Sequence, residues 1–252
     1  MNYSKEDHKL FRNSAEIILK ELLNSIDSDF WNSLKNEEMQ GRTESTMHEP
    51  YILKFVKDIV NSNKFFKNNK ITFSESSNKS ESYDFVLKHG KCLYPFNLKC
   101  PDFEKNSFDN TASKKAFLFP LLGEWDFSET YKDCFEKLKY AENLINKKPA
   151  DYCFLVMFKN ENINESYVRF LRDIDFHDNS IVRLNPNNFP CQFNFKALKY
   201  RKRKISVDTF YNNVVWAMGN SCLKDNKLRE FSKNFNINNF VSKESEQLLF
   251  AY

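Results

Sequence analysis

The chain has 252 residues, 41% hydrophobic and 29% charged, with a formal net charge of +4, a profile expected of a globular, mildly basic protein. Aromatic residues at 16%, including 26 Phe, are enough for a sizeable core. Only 4 Gly are present, and neither a G-x-G-x-x-G nor a Walker pattern occurs, so glycine-rich phosphate loops are excluded.

Residues 9–34 place Leu10, Phe11, Ile17, Ile18, Leu22, Leu23, Ile26, Phe30 and Trp31 at helical spacing, which predicts one or two amphipathic helices. A polar loop around Gly41 follows. A further helix is expected to start near His48, Glu49 and Pro50, since Pro suits a first turn. Its apolar stripe would be Tyr51, Ile52, Phe55, Val56, Ile59 and Val60. Residues 70–74 read as a short strand and 75–81 as a loop. Residues 82–99 then read as a hairpin: an apolar strand, a His89-Gly90 turn, and a longer strand ending Asn97-Leu98-Lys99.

Residues 101–115 are polar and loop-like, and 116–122 are apolar. Residues 130–146 predict a helix, and 151–158 are almost continuously apolar, as a strand covered on both faces would be. Further on, 189–198 carries a strand signal, 199–204 is a basic cluster containing Tyr200, and 207–218 predicts a helix with Trp216. The order is that of an α/β protein with a mixed central sheet flanked by helices. A single domain, 1–252, is expected. The six Cys form no C-x-x-C pair, so free thiols in a reducing cytoplasm are expected rather than zinc. No secretory leader and no membrane span are read. His48, His89 and His177 lack metal-ligand spacing and read as surface or turn residues.

The hairpin carries the chemistry. Alternate strand residues share a face, so Asn97 and Lys99 project together, and strand pairing can bring Asp84 beside them. Phosphodiester hydrolysis needs a cation on the phosphate oxygens, an activated water and stabilisation of developing charge. Mg²⁺ needs only one or two carboxylates, which Asp84 and the helix-borne Glu49 can supply. Asn97 adds a neutral oxygen, and Lys99 can meet the phosphate. Weighed against this, a strand Lys is ordinarily solvated, and a Glu in the first turn of a helix is favoured by the helix dipole alone.

Asp84 followed by Asn97-Leu98-Lys99, with Glu49 before and a helix and buried strand after, resembles the PD-(D/E)XK nuclease superfamily, and within it the type II restriction endonucleases. The resemblance implies a restriction-endonuclease-like core, catalytic Glu49, Asp84, Asn97 and Lys99, and Mg²⁺ held by Asp84, Glu49 and Asn97. It also implies a core over about 47–160, a DNA-recognition and dimerisation part over about 161–252, double-stranded DNA as partner and a homodimer. The segment 108–115 is similar to a D-N-x-x-S-K loop of some of these enzymes, so Asn110, Ser113 and Lys114 would approach DNA. Tyr200, Arg201, Lys202 and Arg203 would contact the phosphate backbone. Two departures stand: Tyr83 rather than Pro precedes Asp84, and Asn97 replaces an acid. A working variant, a degenerate nucleic-acid-binding protein on the same scaffold, an engineered inactive form, and a repair or RNA nuclease all stay open.

Overall fold

The computed structural model describes residues 3–33, 42–76, 83–101, 108–110, 114–125, 130–142, 150–184, 191–200 and 205–224. They belong to two compact units, Met1–Ser107 with Lys148–Leu171, and Phe108–Lys147 with Arg172–Tyr252. Its strands, in chain order, are β1 (Thr72–Glu75), β2 (Phe85–His89), β3 (Cys92–Lys99), β4 (Asp109–Asn110), β5 (Cys153–Val156), β6 (Tyr167–Phe170), β7 (Val182–Leu184) and β8 (Cys191–Phe193).

The first unit begins with helix α1 (Lys5–Ser25), whose start is set by a capping box. The Ser4 hydroxyl accepts from the Asp7 N–H at 3.0 Å, and the Asp7 carboxylate accepts from the Ser4 N–H at 2.8 Å. Phe11, Ala15, Ile18 and Leu22 recur at helical spacing, and all are buried. After the short α2 (Ser28–Ser33) comes α3 (Arg42–Ser62). The helix expected to start at His48-Glu49-Pro50 therefore begins earlier, and Pro50 lies in its interior, exposed. A proline there removes one N–H from the helical ladder; the buried Ile52, Val56 and Val60 on the same helix supply the packing that holds it. Helix α4 (Lys64–Asn68) is capped by Asn63, whose side chain accepts from Phe65 N–H.

The five-stranded sheet runs β1-β2-β3-β5-β6. Its junctions are antiparallel except β3–β5, which is parallel, so the sheet is mixed. His89 pairs with Cys92 across a two-residue loop whose first member, Gly90, has φ 57°. That left-handed first position is the type II′ turn that suits a twisted hairpin. All of β5 is buried, as its unbroken apolar run requires. α1 covers one face through Phe11, whose ring stacks on Tyr94 at 4.7 Å and meets Phe96 and Phe170 edge-on at 5.2 and 5.1 Å. Phe85 stacks on Phe96 at 4.5 Å. Each such ring withdrawn from water contributes about 1.5–3 kcal/mol. Helix α3 packs against α1 and β1.

The second unit contains helices α5 (Lys114–Leu122), α6 (Tyr131–Glu142), α7 (Phe195–Leu198) and α8 (Val207–Lys224), with an antiparallel sheet ordered β4-β8-β7. Phe176 meets Phe117, Phe193 and Phe210 edge-on at 5.5, 6.0 and 5.9 Å. Residues 116–122 are all buried in α5. Among the described residues, Cys92, Cys100, Cys134, Cys153 and Cys191 are in no disulfide. No described helix is long and apolar enough to cross a membrane.

Candidate active site

Asp84 stands one residue before β2, and the strand pairing continues through it. Its N–H donates to the Phe96 carbonyl at 2.9 Å, and its carbonyl accepts from Ser76 N–H at 3.0 Å. Its side chain reaches across to β3, where Oδ2 accepts from Leu98 N–H at 2.6 Å. The carboxylate is thus locked between Asn97 and Lys99 in sequence, at the end of β3. Lys99 is half-buried, and its carbonyl accepts from Met157 N–H at 2.8 Å, extending the parallel β3–β5 pairing.

Glu49 comes from α3, in the helix interior rather than its first turn. The dipole at a helix start therefore does not account for its presence. Burial raises the Glu49 carboxyl above the ordinary range, repulsion from Asp84 adds to that, and Lys99 pulls the other way. Asp84 is likewise raised, by burial first, with Lys99 and the Leu98 N–H opposing. Glu49 therefore senses both Asp84 and Lys99, and Asp84 senses Lys99, although the three come from a helix, a strand start and a strand end. A cation bound beside Glu49 and Asp84 would offset the burial that raises both carboxyls.

Asn97 is 8% exposed, and its Oδ1 has no hydrogen-bond partner. A buried oxygen left unmade costs about 1–3 kcal/mol. The pairing of β2 with β3 sets Asn97 opposite Asp84, so an amide oxygen and a carboxylate, donors of the kind Mg²⁺ prefers, stand side by side. These residues fit the ion. Among the described residues no group of three His, Cys, Asp or Glu could hold a metal; an amide oxygen at Asn97 would be a further donor.

Three more residues belong to this neighbourhood and were not anticipated. Tyr152, fully buried just before β5, is hydrogen-bonded to the Asn97 side chain and feels the charge of Asp84. Cys100 follows Lys99 directly. Burial pushes its thiol up to about 12, and it senses Glu49, Lys159, Lys99 and Asp84. That places Lys159, beyond the C-terminal end of β5, as a second cation in the same field. The only signal for Tyr152 was its hydroxyl inside an otherwise apolar run, since a buried tyrosine needs a polar partner.

The expected DNA contacts lie in the second unit. Asn110 is in β4, paired with Gln192 of β8. Lys114 opens α5 and is half-buried. Tyr200 is 66% exposed, with Lys199 Nζ 5.5 Å from its ring centre. Ser113, Arg201, Lys202 and Arg203 lie outside the described residues. His48 corrects an expectation: instead of a surface or turn position it is 2% exposed, with its ring edge-on to Trp31 at 5.5 Å. It helps to anchor α3 one residue before Glu49. No family model matches the chain, and no curated protein matches it either.

Proposed function

We propose that the protein is a Mg²⁺-dependent endonuclease that cuts double-stranded DNA at defined sites, in the manner of a type II restriction enzyme with a PD-(D/E)XK core, and that it works in the cytoplasm as a homodimer. The observation that carries this reading is the Asp84 carboxylate held on the Leu98 N–H, at the end of β3 that carries Lys99 and the buried, unpartnered Asn97 oxygen, with Glu49 of α3 near enough to sense Asp84 and Lys99. Asp84 stands directly before β2 and the Asn-x-Lys ends the neighbouring β3 of a mixed sheet flanked by helices, which supports the reading.

Asp84, Glu49 and Asn97 Oδ1 would hold the ion. When bound, Mg²⁺ neutralises charge at the phosphate and makes water a stronger nucleophile. Lys99 donates to the attacked phosphate and stabilises the charge that develops there. Leu98 N–H holds the Asp84 carboxylate in one rotamer, so the site is organised before substrate arrives. Asn110, Ser113, Lys114, Tyr200, Arg201, Lys202 and Arg203 are the proposed DNA contacts, the cations among them neutralising backbone phosphates.

A second reading, a scaffold that binds nucleic acid without cutting it, is favoured by one feature, the amide at Asn97 where an acid is usual. Incubation of the protein with plasmid DNA, with Mg²⁺ or with a chelator, separates the two. Discrete Mg²⁺-dependent fragments are expected. Binding without cutting at any Mg²⁺ concentration would establish the scaffold instead, and cutting confined to RNA or branched DNA would point to a repair or RNA nuclease.

A further inference from the structure

We propose that Tyr152 is a positioning residue of this cation site: its hydroxyl takes the Asn97 amide nitrogen and so presents the amide oxygen, on the face shared with Lys99, as a ligand. The inference deepens the nuclease reading and rests on its cation site.

The geometry follows from the ladder. In the parallel pairing of β3 and β5, Asn97 stands opposite Phe154. Tyr152 precedes Phe154 by two residues, which places it on the same face in extended chain, and their rings lie 5.4 Å apart. Tyr152 is 0% exposed, so its hydroxyl must find its partner within the protein.

A side-chain amide carries a donor end and an acceptor end of almost the same shape, and only its hydrogen bonds decide which way round it lies. Asn97 Oδ1 is unpartnered, whereas the side chain as a whole is hydrogen-bonded to Tyr152. The nitrogen is therefore the end that donates to the phenol. The reverse orientation would leave the amide nitrogen, and not an oxygen, as the unpartnered end. A neutral amide held in this way serves as the third oxygen donor without a third carboxylate, which accounts chemically for Asn97 where an acid is expected.

The test is a cycle of four proteins, wild type, Tyr152→Phe, Asn97→Asp and the double variant, titrated calorimetrically with Mg²⁺ alone. Loss of a residue that orients a metal ligand typically lowers affinity 10–100-fold, and a loss of about tenfold or more is expected for Tyr152→Phe where Asn97 is present. In the Asn97→Asp background the same change is expected to cost no more than about threefold, because a carboxylate offers an oxygen whichever way it lies. A metal-independent reading comes from NMR. The Asn97 side-chain N–H is expected to be protected from hydrogen exchange in the wild type and to lose that protection in Tyr152→Phe. Unchanged Mg²⁺ affinity in Tyr152→Phe, an equal loss in both backgrounds, an unprotected Asn97 amide in the wild type, or no Mg²⁺ binding by the wild type would each overturn the proposal. Mg²⁺ binding with the expected cycle but no DNA cleavage would leave Tyr152 in its role and remove the nuclease reading.

Discussion

Replacing Asp84 by Asn should stabilise the protein at neutral pH when no divalent cation is present. The wild-type carboxylate is half-buried, and withdrawing an ion from water costs up to several kcal/mol even after relaxation. Against that stand the Leu98 N–H at 2.6 Å and the charge of Lys99. A hydrogen bond to a charged group recovers about 1.5–3 kcal/mol. Burial still prevails, since the carboxyl sits above its usual 3.8. Asparagine keeps an oxygen for Leu98 N–H and drops the charge, so the gain should be about 0.5–2 kcal/mol. In a chain of this size each kcal/mol raises Tm by about 2–4 °C. The sign follows from linkage. The folded carboxyl binds its proton more tightly than the unfolded one, so its favourable contribution is complete below about 3.8 and is lost as pH rises through the folded-state value. The variant's advantage should therefore open above that pH and close below it. Urea unfolding in a chelator across this pH range measures the gap directly. A less stable Asn variant at neutral pH, or a difference that does not change with pH, would refute the reasoning. Added Mg²⁺ should narrow the gap by stabilising the wild type selectively.

Other perturbations test separate parts of the account. Asn97→Asp should raise Mg²⁺ affinity by adding a charged oxygen; a folded variant that binds the ion more weakly, measured by calorimetry, would place the residue away from the ion. Phe11→Ala should cost about 3–5 kcal/mol, because its ring is held among Tyr94, Phe96 and Phe170; denaturant unfolding with a loss below about 1 kcal/mol would contradict that packing. Gly90→Ala should cost about 1–2 kcal/mol from its left-handed backbone alone, since nothing lies within 4 Å of the added Cβ. The same substitution by Asn, which tolerates that conformation better, should cost less when both are compared by thermal unfolding.

Much of the first unit was legible in the sequence because its elements are long enough to show a period. The stripe of α1 buries Phe11, Ile18 and Leu22 and leaves Leu10, Ile17 and Leu23 half-buried, while β2 pairs with β3 as a hairpin and the continuous apolar run of β5 is buried throughout. Where pattern fell short, length or a competing signal was responsible. β4 and β7, at two and three residues, are too short for alternation to register, and β6 offered only four residues. Pro50 reads as a helix start because proline is commonest there. The helix continues upstream of it to Arg42. At the site, Asn97 and Lys99 were readable as a same-face pair, and Asp84 as their neighbour across the hairpin. Tyr152 and Lys159 were not, because their proximity depends on the parallel register of β5 against β3, which no local pattern encodes.

The central claim is that Lys99 acts on charge developing at a phosphate beside Asp84 and Glu49, and a paired measurement on Lys99→Ala tests it most directly. DNA cleavage under single-turnover conditions and DNA affinity are followed with the same preparation in Mg²⁺. A residue acting mainly in the transition state should lose cleavage by about a hundredfold or more while affinity stays within about tenfold. Undiminished cleavage by a folded Lys99→Ala protein would contradict the account.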